Sequence, residues 1–218
     1  QQSADAPDID FDVSVRKWIK LASGYELLCF LLVASNLWVV EALVSDPTIV
    51  GLYAACFMTA RASSALSRAA IGGIFAPLTA AFAHDRTESA RVLVAGVTRA
   101  IVLLLIPALV FILLRAGTLI QLLYGPRYAG SGTLFGVLFA GACGTTILSF
   151  FGGVLGPAGA LRARLHAMIA INLLLGALTS IAFVRLAGPI GAAWALLLTG
   201  VTGAAVTALL VRVRVGSF

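Results

Sequence analysis

Six stretches of the chain are long and apolar enough to cross a bilayer, at about 21–44, 50–76, 97–115, 132–155, 166–186 and 190–211. A spanning helix needs roughly 20 mostly apolar residues to cross a hydrocarbon core about 30 Å thick. The interruptions carry turn chemistry: "SDPT" at 45–48, "HDRTES" at 84–89, "YGPRYAGSG" at 124–132, "GPAGALRAR" at 156–164 and "AGP" at 187–189. Pro77 is expected to kink or end the second stretch and Pro107 to kink the third. Thr87 is a candidate cap for the helix that enters the membrane through Arg91 and Arg99. "GTLIQLLYGPRYAGSG" predicts a short interfacial helix ending at a Gly-Pro turn, with Tyr124 and Tyr128 at the membrane–water boundary. The pattern predicts an all-α, polytopic membrane helix bundle. Residues 18–218 form its six-helix lobe, preceded by a polar linker over 1–17.

Composition agrees with that reading. The chain is 61% hydrophobic and 11% charged, with a mean hydropathy of +1.05; soluble domains run about 25% charged. The opening "QQSADAPDIDFDVSV" has no basic region ahead of an apolar core, so it is not a signal peptide; it reads as a segment that follows something else. Lys and Arg placement sets the orientation. With both termini in the cytoplasm, that side holds Arg16, Lys17, Lys20, Arg86, Arg91, Arg99, Arg162, Arg164, Arg212 and Arg214, and the outer side only Arg115, Arg127 and Arg185. The net charge of +6 therefore reflects topology. No clustered basic face with stacking aromatics marks a nucleic-acid partner. Cys29, Cys56 and Cys143 are far apart within apolar runs, and read as small hydrophobes.

Two cations fall outside this scheme. Arg61 and Arg68 lie inside the second stretch, where an ionised side chain costs from about 2.5 to more than 10 kcal/mol unless it faces a bundle interior or a water-filled cavity. They are one heptad apart, so on a regular helix they share a face with Phe57, Ser64, Ala65 and Gly72. The first two spans turn near Pro47, which puts Glu26 level with Arg68 as a candidate register-fixing ion pair. Arg61 stands within about one turn of Asn36 in depth and has no acidic residue at its level. Arg61, Arg68, Ser64 and Asn36 are therefore the candidates for meeting an anion that comes and goes.

Other polar positions read as packing. Gly132, Gly136, Ala140 and Gly144 form a stripe of small residues that permits close helix approach, and Asn172 is expected to bond across helices. Glu41 reaches an interface; His84 and His166 lie at a loop and a helix entrance. There is no HExxH, no Walker-type glycine loop, no Gly-x-Ser-x-Gly and no paired carboxylates, so the sequence presents no catalytic, metal-binding or cofactor-binding set.

Three segments carry a family resemblance. "LVSDPTIVGLYAACFMTARASSALSRAAIGGIFAPLTAAFAHD", with Asp46, Pro47, Gly51, Leu52, Tyr53, Ala54, Ala55 and Pro77, resembles the junction after the seventh helix of bacterial oligosaccharide flippases. "LIQLLYGPRYAGSGTLFGVL" is similar to that family's Leu-Leu-aromatic-Gly-Pro-x-Tyr turn, here Tyr124, Gly125, Pro126 and Tyr128. "AINLLLGALTSIAFVRLAGPIGAAWA" is similar to its penultimate helix and following turn, at Asn172, Pro189, Gly191, Ala192 and Ala193. The resemblance implies a polysaccharide-type member of the multidrug/oligosaccharidyl-lipid/polysaccharide exporter superfamily, in the bacterial cytoplasmic (inner) membrane. This chain would be one lobe of a two-lobed transporter, partnered by an N-terminal lobe or a second copy. Its substrate would be a polyprenyl-linked saccharide moved to the outer leaflet by alternating access, its pyrophosphate suited to cavity arginines. A cation-coupled drug exporter of the same superfamily and a non-transporting membrane scaffold are the rival readings.

Overall fold

In the computed structural model, which describes residues 11–84, 86–155 and 162–215, every regular element is helical. In order these are α1 (Phe11–Leu43), α2 (Pro47–Ala60), a 3-10 turn (Arg61–Ser63), α3 (Ser64–Ala83), α4 (Thr87–Tyr124), a 3-10 segment (Pro126–Ser131), α5 (Gly132–Leu155), α6 (Arg162–Ala187) and α7 (Pro189–Val215). Among the described residues, five spans are long and apolar enough to cross a membrane: Pro47–Phe82, Thr87–Tyr124, Pro126–Leu155, Leu165–Ala187 and Pro189–Val213. Within α1 the apolar part found among the described residues is Leu27–Leu43. The result is an all-α, multi-pass membrane bundle.

Local chemistry explains most boundaries. α1 is helical from Phe11, the first described residue, and so takes in part of the stretch expected to be linker. Asp46 caps α2 by accepting from the Thr48 N–H at 2.8 Å, with Pro47 at the first helical position. Gly125 (φ 93°) and Gly188 (φ 67°) occupy the left-handed region at the two Gly-Pro turns, where a side chain would be strained. Thr87 opens α4, but the cap position belongs to Arg86 and carries no side-chain cap bond.

Two expectations about breaks are revised. α3 runs through Pro77 to Ala83 rather than ending there. Four residues upstream, where a proline ring crowds the backbone, stands Gly73, with no atom within 4 Å of where its Cβ would be. The interruption in this span comes at Arg61–Ser63 instead. α4 joins the third span and the expected short helix after it across a kink, at the residue expected to end the third span. It carries Pro107 inside and departs from helical angles at Arg115 (φ −124°, ψ 16°).

The core is organised on α5, whose residues are buried on nearly all sides. Its small-residue stripe serves two neighbours. A Cβ on Gly132 would stand 2.7 Å from the Gly117 nitrogen of α4, and one on Gly136 would meet Leu113, also of α4, at 3.2 Å. A Cβ on Gly144 would instead stand 2.7 Å from the Gly200 carbonyl carbon of α7. Four-residue spacing drifts about 40° per step on a helix, so twelve residues turn the stripe through about 120°, from one neighbour to the next. On this basis Gly144→Ala is expected to cost about 1–3 kcal/mol through backbone overlap. Gly96→Ala, with open space around it, should be neutral or stabilising by up to about 1 kcal/mol. Thermal unfolding of the two variants in detergent checks the contrast.

Candidate anion site at a helix break

The 36-residue span Pro47–Phe82 is divided by the 3-10 turn at Arg61–Ser63. α2 has 14 residues, which puts Arg61 about 21 Å from the start of the span, at hydrocarbon depth. Upstream of the break the packing is tight. Tyr53, Cys56, Phe57 and Ala60 are 0–1% exposed. The Tyr53 hydroxyl donates to the Asn36 side-chain oxygen. Asn36 in turn donates to Ser180 Oγ and to the Ala192 carbonyl, each at 2.8 Å. One buried amide thus joins α1, α2, α6 and α7. Both Asn36 donors are engaged inside the lobe, so Asn36 braces α2 instead of presenting a donor to a ligand.

That brace reaches Arg61 through stacked rings. Tyr53 stacks on Phe57 with centroids 6.1 Å apart, and the Arg61 guanidinium lies over the Phe57 ring at 5.8 Å. A cation over an aromatic face is attracted by the ring quadrupole, more strongly when desolvated. Arg61 is half-buried and Arg68 exposed. A 3-10 turn advances about 120° per residue against 100° in an α-helix, so three such residues rotate α3 by about 60°. The two arginines therefore diverge more than an unbroken helix would have them. Ser64 opens α3 and is half-buried. Among the described residues no carboxylate lies within salt-bridge distance of either arginine; the ion pair present is Arg91–Glu88 at 3.5 Å. The Glu26 side chain lies outside the described residues.

The surface around Arg68 differs from the rest of the bundle. Between Met58 and Val92 no large hydrophobic side chain is exposed among the described residues. From the 3-10 turn through α3 the exposed positions are Ala62, Ala65, Arg68, Ala69, Gly72, Gly73, Ala76, Pro77, Thr79 and Ala80. On α4, by contrast, Leu103, Leu114 and Leu122 are 73–81% exposed, as a helix against lipid tails should be. The α3 face bears small side chains and a cation.

Remaining candidates fall into place around this strip. Ser63 Oγ lies 3.3 Å from Thr146 Oγ1, tying the break to α5. Tyr124 is exposed, its hydroxyl 2.9 Å from Thr59 Oγ1 and its ring 5.3 Å from that of Tyr128. Asn172 donates to the Thr199 carbonyl across α6 and α7 at 3.2 Å. Glu41 and His84 are exposed, and His166 packs beside Gly24. Sequence reasoning missed Tyr53 and Ser180 as the partners of Asn36. It did not find the break either, although Phe57 and Arg61 stand four apart, the spacing that stacks side chains on a helix.

A multi-pass helix bundle with a cationic, small-residue strip on one span is a class rather than an identity. The chain belongs to the polysaccharide biosynthesis protein family, whose profile matches residues 23–132, just over half of its length. The matched region runs from α1 to the start of α5 and includes the helix break and both arginines. No curated protein and no solved structure matches the chain.

Glu26 and Arg68 remain a candidate pair, to be read from a double-mutant cycle. If they pair, the stability losses of Glu26→Gln and Arg68→Ala should couple by about 1 kcal/mol or more; additive losses would remove the pair.

Proposed function

We propose that this chain is the membrane lobe of a transporter that moves a lipid-linked oligosaccharide or polysaccharide repeat unit from the inner to the outer leaflet of the bacterial cytoplasmic membrane by alternating access. The observation that carries the reading is the α3 face, where Arg68 and small residues replace the bulky side chains that face lipid elsewhere. Membership in a polysaccharide biosynthesis family supports the choice of cargo. Arg61 and Arg68, with Ser64 between them, would line a cavity and receive the pyrophosphate of the polyprenyl carrier. Guanidinium groups bind phosphate oxygens bidentately, and a site with little water strengthens the attraction. The lobe is residues 18–218, with 1–17 leading in from the cytoplasm and both termini on that side. A second lobe, or a second copy of this chain, would close the cavity. The task is transport, with no bond made or broken by the protein.

Arg61→Ala should lower the rate of leaflet exchange of a lipid-linked saccharide in vesicles by about tenfold or more. Arg61→Lys should recover only part of that loss, because a point charge cannot form the bidentate contact. Membrane insertion and expression should be unchanged in both. Full exchange in Arg61→Ala would remove Arg61 from the site.

A further inference from the structure

α6 and α7 are joined by a tight turn at Gly188 and run antiparallel; at 26 and 27 residues they also end together. Between them lies a groove of about 350 Å³, with the buried Leu148 of α5 at its base and the exposed Ile171, Leu175, Leu198 and Val206 along its sides. Four threonines line it, yet their protons are already used. Thr199, Thr202 and Thr207 donate to the carbonyls of Ala195, Leu198 and Gly203, and Thr179 to that of Leu175, each at 2.8 Å. Asn172 donates to the Thr199 carbonyl. A threonine whose hydroxyl is bound to its own helix presents little but its methyl group. The groove therefore suits a hydrocarbon chain and not a peptide or a sugar.

Its length and its surroundings narrow the occupant further. The groove runs from Met168 to Thr179 on α6 and from Leu198 to Thr207 on α7, about 16 Å and 14 Å of helix. Half of a hydrocarbon core about 30 Å thick is about 15 Å. That is the reach of one acyl chain in one leaflet, which a long isoprenoid chain would overrun. Charge marks one end of it. Arg162 and Arg164 stand in the first turn of α6, and Arg212 and Arg214 in the last turn of α7, so the antiparallel pair carries four arginines at the same end. Arg212 is exposed. No Asp or Glu occurs anywhere from Ser89 to Phe218, so neither helix supplies a carboxylate to neutralise them. Basic pockets between spanning helices bind anionic lipid head groups.

We infer that the α6–α7 groove is a binding site for an anionic membrane phospholipid, with one acyl chain in the groove and the phosphate at the arginine end. Assigning that lipid to the cytoplasmic leaflet rests on the proposed orientation of the chain; the site and its ligand class do not. The groove lies on other helices than Arg61 and Arg68, so it is separate from the proposed cargo site. A chain lodged there completes the packing of α6 against α7 where side chains leave space.

The test uses the full protein, stripped of lipid in detergent and titrated with dipalmitoyl phosphatidylglycerol or phosphatidylcholine, with bound lipids counted by native mass spectrometry. The first phosphatidylglycerol should bind about tenfold tighter than phosphatidylcholine, and Arg212→Gln with Arg214→Gln should bring it to the phosphatidylcholine level. Thr202→Phe and Thr179→Phe each place a ring in the groove and should weaken phosphatidylglycerol by about tenfold or more. Val110→Phe, on the exposed face of α4, should leave it unchanged. Equal binding by all three phenylalanine variants, or no preference of the unaltered protein for phosphatidylglycerol, would overturn the site. Displacement of phosphatidylglycerol by a lower concentration of polyprenyl phosphate would overturn the phospholipid as its occupant. Lipid binding is read without a transport assay, so the two readings fail separately. Groove-dependent phosphatidylglycerol binding in a protein that exchanges no lipid-linked saccharide would uphold this site and refute the cargo.

Discussion

An ionised guanidinium at hydrocarbon depth has to be compensated, and the way Arg61 is compensated organises this half of the bundle. The cost of leaving it against lipid, a few kcal/mol at the least, exceeds what a single side-chain contact returns. Arg61 is accordingly half-buried over the Phe57 ring, and a 3-10 turn begins at it. The face that follows carries alanine, glycine and Arg68 where α4 carries leucine. Small side chains beside a cation suit water or a partner surface better than lipid tails.

Such an arrangement needs a rigid base. Phe57 can hold a cation in place only if it is itself immobile, and it is stacked on Tyr53, whose hydroxyl is bound to Asn36. Asn36 reaches Ser180 and the Ala192 carbonyl, so the position of one membrane arginine is referred to α6 and α7. The close passage of α5 against α7 at Gly141, Gly144 and Gly200 supplies the other constraint. Close backbone contact without bulky side chains is how membrane helices gain packing where burial from water no longer drives association. α3 takes no part in either set of ties; it packs on the core through Ile74, Leu78 and Ala81, with Leu66, Ala70, Ile71 and Phe82 beside them.

Much of this was legible in the residues. The spans follow from apolar length, the turns from Gly-Pro and Asp-Pro pairs, and the Asn172 cross-helix bond from the rule that a lone intramembrane amide finds a carbonyl. The two arginines stood out because nothing in a spanning helix excuses them. What could not be read depends on distant partners. The break at Arg61–Ser63 contains neither proline nor glycine, while Pro77, a candidate end, lies inside α3. Asn36 was matched to Arg61 in depth, yet depth alone does not say that its donors are taken by Ser180 and Ala192, more than 140 residues away in sequence. The stripe on α5 was visible, but its drift around the helix matters only once two neighbours are in place.

The central claim is that the α3 face borders water and not lipid. Single cysteines at Ala62, Ala65, Ala69, Gly72 and Ala76, compared with Leu104 and Leu114 on α4, test it directly through their rates of reaction with a charged, membrane-impermeant thiol reagent. The account predicts that the α3 positions react at least tenfold faster than the α4 positions and are slowed by added lipid-linked saccharide. Equal, slow reaction on both helices would mean that the arginine strip faces hydrocarbon, and would contradict the account.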